Sequence, residues 1–149
     1  MHRRIFWVAA LVICAGCNTG PRMAPVKGTV SHNGKPLANG TIRFESTGQR
    51  PATGRIVNGE IVEMTTFKTN DGVPVGAHKI AVWASEEAGS STVGANPGEV
   101  KVGANYMSGK SLIHEIYNNP DTSGLTAEIN TGDNVVEFKL VSNPTVEPK

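Results

Sequence analysis

From Val26 onward the chain alternates apolar and polar residues with a period of two. Val26, Gly28 and Val30 fall on one side, and Lys27, Thr29 and Ser31 on the other. That is the pattern of a strand with one face buried. Ile42 and Phe44 alternate with Arg43 and Glu45 in a second strand, Thr41 to Glu45. Thr53 to Val57 and Glu60 to Thr65 flank Asn58-Gly59 and read as a hairpin. Gly76 to Ala84 is the clearest strand, with His78, Ile80, Val82 and Ala84 on one face and Ala77, Lys79, Ala81 and Trp83 on the other. Leu125, Ala127 and Ile129 form another strand face, and Val136, Phe138 and Leu140 the last. After residue 17 no run keeps a helical apolar period beyond about two turns.

The segments between these strands are punctuated by turn residues. Asn33-Gly34 and Asn58-Gly59 tolerate positive φ and are strong hairpin signals. Pro36 has no N–H for a ladder, so Lys35 to Gly40 is at most an edge. Ser46 to Ala52 and Lys68 to Val75 read as loops, and Asn118 to Asp121 as a turn. Leu112 to Tyr117 reads as one helical turn or a short strand. Glu86 to about Ser111 is rich in Gly, Ser and Asn, with little periodicity. Seven or so short strands joined this way predict an all-β fold, a Greek-key β-sandwich. Its expected inward set is Val30, Ile42, Phe44, Ile56, Ile61, Ile80, Val82, Leu125, Ile129, Val136, Phe138 and Leu140.

The N-terminus follows a different pattern. His2, Arg3 and Arg4 precede an uncharged run, Ile5 to Ala15, which is too short to span a bilayer and ends in small residues before Cys17. A basic start, a short apolar run and small residues at the cut read as a secretory signal. With cysteine at the cut, Leu11-Val12-Ile13-Cys14-Ala15-Gly16-Cys17 resembles the lipobox of bacterial lipoproteins, with Cys14 where Leu is usual. That resemblance implies cleavage before Cys17, a diacylglycerol on its sulfur and an acyl group on its amine. Several acyl chains hold a protein to a membrane essentially permanently, whereas one binds reversibly. Asn18, where an Asp would signal retention at an inner membrane, favours the outer membrane. The bland alternative is an ordinary secretory signal. The expected organisation is a signal over 1–16, a lipid-anchored tether over 17–25, one domain over 26–141 and a loose tail over 142–149.

Composition then narrows the functional classes. The chain has 149 residues, one domain's worth once a signal is removed. Its 14 Lys and Arg nearly balance 13 Asp and Glu, and Arg3 and Arg4 leave with the signal. Neither a nucleic-acid footprint nor a polybasic lipid patch is present in such a balance. Both of the two cysteines, Cys14 and Cys17, lie in the signal region, so the mature domain has no disulfide, no cysteine nucleophile and no cysteine metal ligand.

Three segments carry a family resemblance. Val26-Lys27-Gly28-Thr29-Val30, Asn33-Gly34-Lys35-Pro36-Leu37 and Gly40-Thr41-Ile42-Arg43-Phe44 resemble the opening of carboxypeptidase regulatory-like domains. Val73 to Val82 resembles a later strand of the same family. Tyr117 to Leu125 and Asn134 to Leu140 are similar to the ending of small planctomycete-type lipoproteins. The resemblance implies a transthyretin-like β-sandwich acting as an accessory or structural module. Transthyretin-like ring hydrolases end in Tyr-Arg-Gly-Ser, and Val146-Glu147-Pro148-Lys149 carries no such tetrapeptide.

Candidate chemistry is sparse. His32, His78 and His114 are not spaced as ligands within one element, so no metal site is expected. No G-x-S-x-G elbow is present, and no acid, base and nucleophile set converges, so no catalytic residues and no cofactor are assigned. Asn70-Asp71 and Asn118, Asn119 and Asp121 offer hard oxygens for calcium, against a simpler reading as turn residues bonding their own backbone. Trp83 faces away from Ile80 and Val82 and, with Tyr106 and Tyr117, forms a candidate ligand platform. The alternative is that the 86–117 segment covers it. The resulting expectation is a non-catalytic, lipid-anchored module of the bacterial cell envelope with a structural or adhesive role. Its expected partners are the membrane through Cys17, an envelope protein or glycan, and further copies of the chain by sheet-edge pairing. The alternatives are a carbohydrate- or peptide-binding lipoprotein feeding a transporter or enzyme, and a small envelope hydrolase.

Overall fold

The computed structural model describes residues 20–85 and 110–144. Its strands are β1 (Met23–Ala24), β2 (Val26–His32), β3 (Lys35–Pro36), β4 (Asn39–Glu45), β5 (Ala52–Val57), β6 (Glu60–Thr65), β7 (Val73–Pro74), β8 (Gly76–Trp83), β9 (Thr126–Ile129) and β10 (Asn134–Leu140). A 3₁₀ turn spans Glu115–Asn118. Seven strands lie on one path, β10-β2-β6-β5-β4-β8-β9, with β3 beside β2. The fold is all-β and sandwich-like, as the alternation predicts.

The sheet must curl. β9 and β10 stand at opposite ends of the strand order, yet only residues 130–133 separate them in sequence. A link that short cannot cross a flat seven-stranded sheet. Asn134 fastens it: its side-chain oxygen accepts the Asn130 N–H at 2.9 Å, and its amide donates to the carbonyls of Asn130 and Gly132, each at 2.9 Å. A corner opens at β2 and β6, which share a single register pair, Thr29 with Glu60. All neighbours on the path run antiparallel except β10 and β2, which run parallel from Asn134↔Val26 to Leu140↔His32.

Local chemistry accounts for the hairpins. Asn33 and Gly34 adopt φ of 51° and 78°, and Asn58 and Gly59 51° and 84°, the doubly positive turn that suits the twist of paired strands. In β6 the alternation is broken. Arg55 pairs with Val62 and Thr53 with Thr65, so β6 carries one extra residue, and Glu63 sits at φ 57°. This bulge turns both Ile61 and Met64 inward.

The core is the space enclosed by the curl. Phe44 is its centre, meeting His78 and Phe138 edge-on with ring centroids 6.0 and 6.1 Å away, and so joining β4, β8 and β10. Ten of the expected inward residues are buried, while Leu125 and Val136 pack against them half-buried. Gly28 lies where an added Cβ would collide with the Val136 carbonyl, so β10 can approach β2 only over a glycine.

Two boundaries differ from expectation. Met23 and Ala24, placed in the tether, pair with Pro74 and Val73, placed in a loop, and Ala24 is buried. The domain therefore begins before Val26. Two strands of two residues each are too short to show a period, which is why the pattern missed them. At the other end Ser142 accepts and donates bonds with Asn33 at 2.7 and 3.1 Å, so this first residue of the expected loose tail is tied to the β2–β3 turn.

Candidate functional site

A cleft of about 640 Å³ lies where β4, β8 and β9 run side by side. Register sets its floor: Glu45 faces Lys79, Lys79 faces Thr126 and Ala77 faces Glu128. All five are outward positions by strand alternation. Asp121 reaches in from the loop before β9 and accepts a hydrogen bond from Lys79 Nζ at 2.6 Å. That bond, with the attraction of Asp121 and more weakly of Glu45, raises the Lys79 ammonium above its ordinary 10.5. Glu45 is itself 3.3 Å from Arg43. The cleft thus presents carboxylates around an ammonium that is already paired, a surface suited to polar contacts.

Among the candidate platform residues, the structure places two. Trp83 ends β8, half-buried, opposite Thr41. Tyr117 is buried at 4% exposure, and its hydroxyl accepts the Val141 N–H at 3.1 Å. Tyr117 is thus a core residue spanning the open side of the curl, not part of an exposed platform. The 3₁₀ turn that holds it packs against β8, an arrangement with no periodic signature. Tyr106 and Cys17 lie outside the described residues, as does most of the 86–111 segment.

The three histidines take separate positions. His32 Nε2 meets the Ser142 hydroxyl at 3.2 Å. His78 is buried, and its Nε2 donates to the Pro74 carbonyl at 2.7 Å. His114 caps the 3₁₀ turn, its Nδ1 accepting the Ile116 N–H at 3.2 Å. Among the described residues no group of three or more His, Cys, Asp and Glu is placed to hold a metal ion.

Of the candidate calcium ligands, Asp71 and Asn119 bond backbone of their own loops, whereas the buried Asn118 Oδ1 has no hydrogen-bond partner among the described residues. The Asp71 carboxylate accepts N–H bonds from Thr66 at 2.7 Å and from Phe67 and Lys68 at 2.9 Å. Desolvation pushes this carboxyl's pKa up, but the backbone donors outweigh it and hold it below its ordinary value. Asn119 accepts the Asp121 N–H at 2.9 Å, a turn bonding its own backbone. Phe67, a position the alternation did not single out, stands half-exposed with the Arg50 guanidinium 5.8 Å from its ring centre.

No protein-family model, curated protein or solved structure matches this chain. Among the described residues no helix is long and apolar enough to cross a membrane.

Proposed function

We propose that this chain is a non-catalytic, lipid-anchored module of the bacterial cell envelope, related in kind to carboxypeptidase regulatory-like domains, whose work is structural or adhesive. The observation that carries the reading is the N-terminal sequence: Arg3-Arg4, an uncharged run too short to span a bilayer, then Ala15-Gly16-Cys17. A compact β-domain begins within a few residues of that cysteine, at Met23. An acylated Cys17 would hold it close to a membrane surface, with the outer membrane favoured. The ionisable side chains described above support a structural role, since Asp71, His78 and His114 are engaged in loops, packing and a cap.

A second reading, a module that binds a sugar or peptide, is favoured by the polar cleft beside Lys79 and Asp121. Intact mass and detergent phase partitioning of the native protein, beside a Cys17→Ala form, test the anchor. The expected result is a chain starting at Cys17 with added diacylglycerol and acyl mass, and a substituted form that leaves the detergent phase. An unmodified chain cut elsewhere would overturn the anchor.

A further inference from the structure

We propose that a second copy of this chain pairs with the edge of β10 that faces away from β2, antiparallel, about a two-fold axis at Phe138. β10 ends the strand order, and among the described residues it pairs only with β2. The Leu140 carbonyl accepts the Asn33 N–H at 2.9 Å, and the Asn134 N–H donates to the Pro25 carbonyl at 3.1 Å. Even-numbered residues therefore direct their backbone groups towards β2. Strand alternation sends those of Val135, Glu137 and Lys139 to the other edge, where a new strand could take them. Val141 follows the same parity, and its N–H is held by Tyr117, which ends the row.

The side chains on this strand are self-complementary. Val135 is 84% exposed and Val141 44%, two of the three large apolar side chains left exposed among the described residues. Between them stand Glu137 and Lys139, both exposed and 3.2 Å apart as an ion pair. A two-fold axis at Phe138 sets Glu137 opposite Lys139 of the second copy and Val135 opposite Val141 of the second copy. Every outward side chain then meets its complement, with charge on charge and valine on valine. Glu137 and Lys139 are also the residues whose backbone groups face the edge, so each such pair would exchange two hydrogen bonds. Moving the register by two residues in either direction puts Glu137 opposite Glu137 or Lys139 opposite Lys139, so charge selects this alignment. This pairing names the partner as the chain itself and does not depend on a lipid at Cys17, so it and the anchor can fail separately.

The test uses full-length copies co-expressed in the host envelope under mild oxidation. Copies carrying Glu137→Cys and copies carrying Lys139→Cys should form a covalent dimer together, and little when either is expressed alone. The unsubstituted chain controls for Cys14 and Cys17. A second pair, Val135→Cys with Val141→Cys, reports on charge. Adding Glu137→Lys to both copies should cut their crosslinking about tenfold, and adding Lys139→Glu as well should restore it. These side chains are exposed, so the changes leave the core untouched. Absence of mixed crosslinks, crosslinks as strong in single-variant cells, or a charge exchange that fails to restore the dimer would each overturn the pairing.

Discussion

Two loops of similar composition, residues 66–72 and 118–125, use the same residue types for different ends. Each carries an asparagine, an aspartate and a glycine with positive φ. In the first, Asp71 is surrounded by the N–H groups of its own loop, and Gly72 passes so close to the Ala24 carbonyl that an added Cβ would collide. In the second, Asp121 points away from its loop to the exposed Lys79, and Gly124 has open space around it. There the structural bond is made instead by Ser123, whose buried hydroxyl donates to the Ile80 carbonyl. A carboxylate enclosed by backbone donors is part of the fold, whereas one that meets a solvated side chain is part of the surface.

Matched substitutions sharpen that contrast. Gly72→Ala should have the largest effect, since it adds a backbone collision to a strained φ of 90°. A loss of about 3 kcal/mol in urea unfolding is expected. Gly124→Ala, at φ 67° in open space, should cost only about 1 kcal/mol in the same assay. Equal costs at the two glycines would break the comparison.

Asp71→Asn comes next, with about 2 kcal/mol lost near neutral pH. The folded-state pKa of Asp71 lies below the ordinary 3.8. Its contribution is therefore present in full well above that value and is lost as pH falls through the folded pKa. Stability measured from pH 6 down to about pH 2 should thus fall in the native chain, and less steeply in the variant. An unchanged acid limb would show that the backbone donors do not favour the ionised form.

Ser123→Ala should cost about 1–2 kcal/mol, because it removes the partner of the Ile80 carbonyl and of the Leu125 N–H. Asp121→Asn should be the mildest change, invisible in a thermal melt, since exposed ion pairs contribute little. Its effect should instead appear in the Lys79 titration, which should move down towards 10.5 when followed by NMR.

The two loops also mark how far local sequence reaches. Turn formation at Asn70-Asp71 and Asn118 to Asp121 was legible, because asparagine and aspartate favour turns, where they can bond nearby backbone. Which carboxylate would leave its loop was not, since that depends on Lys79, distant in sequence from Asp121. The same division separates Trp83 from Tyr117. Alternation along β8 placed Trp83 opposite the core face, whereas the inward position of Tyr117 depends on Val141 from the far side of the curl.

Sequence periodicity determined the longer strands between Val26 and Leu140, and with the two Asn-Gly turns it placed ten of the buried core residues. Those properties follow from backbone sterics and burial, which act between near neighbours. Only the tertiary structure decided that β10 lies parallel to β2, that β1 and β7 pair, that Tyr117 enters the core and that, among the described residues, β10 pairs on one edge alone. Such pairings join residues far apart in the chain, and a period of two marks which face a strand buries but not which strand it meets.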